Sequence, residues 1–432
     1  MEGIEVAALD LLGSLISAQA HGESEVQSIV ANRLREAGCE VEEHDYEPAD
    51  VQVKGEFALE AACTAGMRKA IVGSLPGDPD LPSLLMFAHP DAEPICDTSR
   101  WHHAPFSAVI EQGRLYGWGV ADDLAGCAAA LLAIEQASAS KASIGRVVFA
   151  STPSKRYARG VAALLHNGFT ADAALYLHPA ESGVGMREIK ATASGHIEFS
   201  IEVSGHPPET TEPGHTAFSH LAHNPIDKAL VVRSALMKLA ENRAQRVRHQ
   251  LIEDAVGRAT NLHVSQIRCG DMRKMSRIES SCVLGCAVSF PPTETLDAIQ
   301  TEITEAIEVA SAKDAWLRDH PPTITWITGV TGGEVSAKHP LFITSANAVL
   351  ATTGATPHVN PMHTSSDIRN PIVEAGIPCV GLGCLGGDLT QNGRHDEWID
   401  VADFHRMVEV TARIVQDWCS GKQTNTHEVE NH

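Results

Sequence analysis

The 432-residue chain carries 55 acidic against 33 basic side chains, a formal net charge of −22, and is 43% hydrophobic. Such an acidic balance argues against nucleic acid and anionic membrane surfaces as partners and says nothing sharper. The length fits two domains with ordinary cores. No apolar run reaches the ~18 residues of a membrane helix, and the amino terminus MEGIEVAALDLL lacks the basic stretch of a secretory signal.

In chain order, ESEVQSIVANRLREAGCEVEEH (from Glu23) reads as a helix and then a strand. Val26, Ile29, Val30, Leu34 and Ala37 share one face, and Gly38 suits a left-handed helix end. SLLMFAH (83–89) is a continuous apolar run, as a central parallel strand requires. DDLAGCAAALLAIEQA (122–137) is a small-residue helix, followed by a strand at 146–151, a helix over 158–167 and the strand ADAALYLH (171–178). This β–α–β–α–β rhythm defines an α/β fold, a doubly wound sheet covered by helices. Near 194 the pattern changes. Ile197, Phe199, Ile201 and Val203 alternate with polar residues, as in a half-exposed antiparallel strand. A helix over 224–241 and a strand at 281–290 follow, so 194–312 is read as an inserted α+β domain. The catalytic domain would comprise 1–193 and 313–432, with the α/β pattern resuming at PPTITWITG and running through IPCVGLG to an amphipathic helix at 401–418. The ten cysteines form no CxxC pair. Several, such as Cys127 and Cys379, lie in apolar surroundings, as expected of reduced thiols in a cytoplasmic protein.

Three polar residues stand at strand or turn ends. His89 closes LLMFAH with Asp91 two positions on, Asp122 follows the Gly-rich turn LYGWGVADD, and His178 closes ALYLH. In an α/β sheet these positions converge, and imidazole with carboxylate suits Zn, Mn, Co or Fe.

With HPD (89–91), Trp101, Pro105 and Phe106 of W..PF, the Gly113–Asp123 segment GRLYGWGVADD, HTAFSHLAHNP (215–225), SSD (365–367) and DEWIDVADF (396–404), the chain resembles the metal-dependent amidohydrolases and exopeptidases that include aminoacylase, acetylornithine deacetylase, succinyl-diaminopimelate desuccinylase and glutamate carboxypeptidase. The resemblance covers nearly the whole chain. It implies a doubly wound catalytic domain, an inserted lid that dimerises, and two metals sharing one carboxylate. Asp122 matches the bridge, His89 and His178 match the other ligands of one metal, and Asp91 matches the acid that orients the first His. The Asp122–Asp123 bond matches one that is cis in the family. His215 matches the lid His that reaches a neighbouring subunit's active site, as a substrate contact.

The departures are specific. The family's base-and-ligand pair Glu-Glu is Ser154–Lys155 here, and the position of its last His ligand is Gly393. The GRG turn is GWG (Trp118), and the Lys after the paired acids is Leu124. An ammonium at Lys155 would repel a second cation. One divalent metal per chain is therefore expected, held by His89, Asp122 and His178. His395 is a candidate ligand, base or substrate contact, and Asp91 or His395 would replace the missing base. Lys155, Trp118, Arg369 and Arg394 are candidate contacts to a flat anionic substrate. His102, His103 and His363 are read as surface residues. The pattern resembles members that exchange an aromatic amino group for hydroxyl with release of ammonia, as with nitroanthranilate. The alternatives are an aminoacylase- or dipeptidase-type amidase with a rebuilt base, and a non-catalytic binding protein of the same fold. A homo-oligomer, at least a dimer through the lid, is implied.

Overall fold

The computed structural model describes residues 2–63, 65–92, 95, 97–361, 366–387 and 395–422. His363, Gly393 and Arg394 lie outside the described residues, so their expected roles carry no structural reading.

The first sheet has six strands in the order Glu40–Tyr46, Arg68–Leu75, Val147–Ser151, Leu84–Ala88, Ala173–Leu177 and Cys379–Leu382. The last four are parallel and the first two antiparallel. Leu84–Ala88, Val147–Ser151 and Ala173–Leu177 are buried at every position, which is why they read as continuous apolar runs rather than alternations. One face of the sheet is covered by the helices Glu2–Ala18, Glu23–Glu36, Ala125–Ala139 and Val401–Cys419. The other face carries Gly160–His166 and Arg369–Ala375.

Ala125–Ala139 is small because it lies directly against the sheet. A Cβ on Gly126 would stand 2.2 Å from Leu177 O and 3.1 Å from the Ala88 methyl. That approach fixes the turn before the helix over the carboxyl ends of two central strands.

The second sheet is antiparallel, in the order Asn261–Arg268, Ser281–Phe290, Gly195–Ser204, Thr323–Val330 and Glu56–Ala58. Pro225–Arg246 and Leu296–Ser311 pack beside it around Phe199, Leu284 and Phe290. Asn224 caps the first of these helices by accepting a hydrogen bond from Ile226 N–H at 3.1 Å. The strand in PPTITWITG corrects the sequence reading. Thr323–Val330 pairs with Gly195–Ser204 in this sheet and does not resume the α/β pattern. Its isolated apolar run carries no mark of parallel or antiparallel pairing, and that choice is made by a partner 120 residues earlier. Glu56–Ala58, from the amino-terminal part of the chain, completes the sheet edge. Among the described residues no helix is long and apolar enough to cross a membrane.

Candidate metal centre and cavity

His89 follows the central strand, and Ser154 and Lys155 follow its neighbour Val147–Ser151. His178 follows Ala173–Leu177, and Asp122 and Asp123 sit in the turn that opens Ala125–Ala139. All of these positions lie at one end of the sheet, as the sequence reading requires. The Asp122–Asp123 bond is cis, as the resemblance implied.

His89 Nδ1 lies 2.7 Å from Thr152 O. A carbonyl only accepts, so Nδ1 carries the ring hydrogen and Nε2 presents a lone pair. That lone pair faces Asp367 Oδ2 at 3.0 Å and Asp123 Oδ2 at 3.8 Å. His178 Nε2 lies 3.5 Å from Asp122 Oδ1 and 3.9 Å from Asp123 Oδ1. Ligand atoms of Asp122, Asp123 and His178 lie within 4.8 Å of one another. Both carboxylate oxygens of Asp123 and Nε2 of His89 are buried without a hydrogen-bond donor among the described residues. Electron-rich atoms gathered in this way suit a cation between them. The donor set therefore fits a divalent metal: Asp122, Asp123 and His178 form one group, and His89 stands beside it with Asp367 and Asp123 facing its Nε2.

The electrostatics agree. Burial, reinforced by the charge of Asp122, pushes the Asp123 carboxyl well above its ordinary range. Burial also pushes Asp122 up, but the charge of Lys155, the bond to Asp123 and His178 outweigh it and hold Asp122 ionised. For Asp367 burial is outweighed by His89 and Ser154, and the carboxyl is lowered to about 2. Burial and then the Lys190 charge hold His178 well below its usual range, so its ring is neutral, the form that binds metals. Lys190 Nζ stands 2.9 Å from His178 Nδ1 and also donates to Pro179 O. An ammonium only donates, so at this distance Nδ1 accepts from Lys190; coordination through Nε2 requires Lys190 to give its hydrogens to Pro179 O, Glu181 and Glu188 instead and leave Nδ1 its own.

Lys155 was expected as a substrate contact, but it does not line the cavity and is paired with Asp122 instead. Its Nζ contacts Asp122 Oδ1 directly, and the two side chains are 15% and 7% exposed. Burial works against its charge, but Asp122, Asp123 and Asp91 together raise its pKa.

Asp91 corrects an expectation. Its carboxylate accepts from Ser154 N–H at 3.0 Å, Lys155 N–H at 2.9 Å and Arg68 at 3.3 Å, and Arg68 in turn contacts Glu23. It therefore anchors the loop that carries Lys155, while Thr152 O orients His89. Arg369 is likewise spent. It is 2% exposed, and its guanidinium donates to Thr331 O, Lys54 O, Gly55 O and the Asn370 amide oxygen, with Glu56 at 3.7 Å. It ties the two sheets together and has no fork left for a substrate carboxylate. Trp118 packs edge-on to Phe106 at 5.7 Å, with its backbone N–H on Pro105 O. His215 is held within the lid, its N–H on Ser276 O and its Nδ1 accepting from Ile278 N–H at 3.0 Å. His395 is half-buried beside Asp396, which accepts from the backbone N–H groups of His102 and His103. Neither Trp118, His215 nor His395 lines the cavity at the centre.

That cavity has a volume of about 400 Å³ and opens beside His178, Asp367 and Ser154. Arg156, Tyr157, Tyr176 and Glu181 complete its polar wall. Arg159 also lines it, but its guanidinium is taken up by Glu56, Pro48 O and Val51 O. Sequence reasoning missed Lys190 and Glu181. Glu181 stands three residues after His178, and only that spacing could have flagged it.

Residues 85–417 match the model of peptidase family M20/M25/M40, and the chain belongs to that family. It is accordingly a metal-dependent hydrolase of the M20 type, a class of peptidases and aminohydrolases. Among solved structures it is similar to an M20 metallo-carboxypeptidase from Sulfolobus solfataricus, with a TM-score of 0.68 and 15% identity over 95% of this chain and 98% of that one. It is also similar to human carnosine dipeptidase 1, with a TM-score of 0.65 and 13% identity over 96% of both chains. A third neighbour, a dinuclear metal-binding M20 peptidase from Bacillus subtilis, gives a TM-score of 0.61 and 13% identity over 96% of this chain and 98% of that one. At these identities the likeness is one of fold.

Proposed function

We propose that this chain is a single-metal hydrolase that breaks a C–N bond in a small anionic amine and releases ammonia. The observation that carries the proposal is the ammonium of Lys155 on the oxygen of Asp122. A second ion sharing that oxygen would lie next to a fixed positive charge. His89, Asp122 and His178, with Asp123 and Asp367 beside them, would hold the one ion, drawn from Mn, Zn, Co or Fe. Such an ion supplies Lewis acidity and lowers the pKa of a water in the cavity.

The rest of the chemistry belongs to the chain. Thr152 O fixes the ring of His89, and Asp91 fixes the loop that positions Lys155. Arg156, exposed on the cavity wall, supplies positive charge for a carboxylate of the substrate. The cavity volume suits a single-ring molecule. With Ser154 in place of the family's glutamate base, a substrate that stabilises its own addition intermediate is favoured, as an amino group on an electron-poor ring does.

Amide hydrolysis of the aminoacylase or dipeptidase kind is the second reading. Its support is the likeness of the fold to a metallo-carboxypeptidase and to carnosine dipeptidase 1. A dimer through the lid belongs to the proposal, supported by Ile267, Met272 and Met275, which are 52%, 83% and 81% exposed on it. A cytoplasmic setting is supported by the free thiols of the described cysteines.

The test supplies manganese to the metal-free protein and measures ammonia from a nitro-substituted 2-aminobenzoate in parallel with cleavage of N-acyl amino acids and dipeptides. Ammonia from the arylamine alone supports the first reading. Amide cleavage alone replaces it with the second. No turnover of either class contradicts both.

A further inference from the structure

The family's glutamate base is Ser154 here, and Ser154 Oγ is committed to Asp367. Asp91 is bound by two backbone N–H groups and Arg68. His395 does not line the cavity. The proton-transfer role therefore has no occupant among the residues singled out from the sequence.

Glu181 shares the cavity wall with His178, Ser154 and Asp367. Its backbone N–H donates to Glu188 at 3.1 Å, as does that of Ser182 at 2.6 Å, so the main chain at this point is pinned. Its side chain is 16% exposed, with Oε2 3.5 Å from Lys190 Nζ. The same ammonium lies 2.9 Å from His178 Nδ1. One lysine thus touches both the ring of a candidate ligand and this carboxylate. We propose that Glu181 is the proton shuttle of the hydrolysis, a reading that rests on the C–N hydrolase proposed above.

The charged and titratable groups around Glu181 are Lys190, Glu188 and Asp122, and the same cavity is lined by His178, Tyr176, Asp367, Arg156, Tyr157, Glu56, Arg159 and Arg369. Burial raises its pKa, and Glu188 and Asp122 add to the rise while Lys190 opposes it. A carboxylate on the cavity wall, held by a pinned main chain and one lysine, is placed to accept a proton from water and return it. In the step, a water O–H bond breaks and its proton passes to the Glu181 carboxylate. The water oxygen bonds to the carbon that carries nitrogen. The C–N bond then breaks with its electron pair staying on nitrogen, and the proton held by Glu181 moves to that nitrogen. Ammonia leaves, and Glu181 is again a carboxylate.

The experiment compares Glu181→Gln, Glu181→Asp and Glu181→Ala with the wild type in the manganese-loaded protein. The shuttle predicts that Glu181→Gln lowers kcat about 100- to 10,000-fold with KM and manganese uptake changed less than about threefold. It also predicts partial recovery in Glu181→Asp and restoration of Glu181→Ala turnover by added formate. A Glu181→Gln kcat within about threefold of wild type would overturn it. So would a loss that formate does not restore and that is accompanied by reduced manganese uptake, because that outcome marks a structural role. If the wild type turns over neither substrate class, the C–N hydrolase reading fails, and Glu181 is still read by carbon-13 NMR of the glutamate carboxyls. A resonance titrating above the ordinary glutamate range and missing from Glu181→Gln supports a proton-exchanging role. Titration in the ordinary range overturns it.

Discussion

Replacing Lys155 by methionine keeps the length of the side chain and removes its charge. The lysine and its partner Asp122 are 15% and 7% exposed, so this is a buried pair. Removing one member of such a pair typically costs about 3–5 kcal/mol, because the other charge is left buried and uncompensated. Asp122 also has the Asp123 carboxyl beside it, which deepens the loss. Urea unfolding of the metal-free protein should therefore show Lys155→Met destabilised by about that amount, with much of the loss recovered when manganese is added. Lys155→Glu goes further. An ion bound to Asp122 Oδ1 would lie within about 4–5 Å of Nζ, given coordination bonds near 2 Å. At about 4 Å and an effective dielectric of about 20, a divalent ion and an ammonium repel by roughly 8 kcal/mol. Inverting the charge removes that barrier and supplies a ligand oxygen. Manganese binding measured by calorimetry and by metal analysis should rise from one ion per chain to two in Lys155→Glu. A metal-free Lys155→Met protein as stable as wild type, or a Lys155→Glu protein that still takes a single ion, would refute the argument.

Other perturbations act around the centre. Glu397 accepts backbone N–H groups of Gly119 at 3.0 Å, Ala121 at 2.9 Å and Asp122 at 3.4 Å, and burial raises its pKa to about 7. Glu397→Ala should cost about 2–4 kcal/mol in denaturant unfolding and weaken manganese binding, because the turn carrying Asp122 and Asp123 loses its anchor. Arg369→Lys should lower stability by about 2–3 kcal/mol while the KM for an anionic substrate changes little; a large rise in KM would make Arg369 a substrate contact after all. Burial raises Glu23 from 4.5 to about 7 against the pull of Arg68. The folded chain then holds a proton on Glu23 that the unfolded chain has released, so its contribution is complete below about pH 4.5 and is lost as pH rises to about 7. The window is worth about 3 kcal/mol, and Glu23→Gln should flatten the fall in stability between pH 5 and 8.

Much of this arrangement was legible in the sequence. Continuous apolar runs ending in His89 and His178, and a small-residue helix opening on Asp122, place three donors at one sheet end, because parallel strands align their carboxyl ends. Lys155 at the position of an acidic ligand was also readable, since a charge substitution inside a motif has few other meanings. The rest depends on distant partners. Asp367 meets His89 at 3.0 Å from the far side of the chain; the SSD motif (365–367) marks the residue, but nothing local assigns it to the site. The role of Asp91 hinges on which hydrogen-bond donors come within reach, and Arg68 and the 154–155 backbone take it before His89 does. Arg369 looks like an anion contact in sequence, but its burial against three carbonyls makes it a brace. Thr323–Val330 has a strand's composition, and its sheet is decided by pairing with residues far earlier.

The central claim is a hydrolase that works with one ion where its dinuclear relative has two. It is tested most directly by titrating manganese into metal-free wild-type protein while following ammonia release from a nitro-substituted 2-aminobenzoate. The account predicts activity that climbs in proportion to added metal and levels off at one equivalent per chain. Activity that stays near zero through the first equivalent and develops only with the second would contradict it.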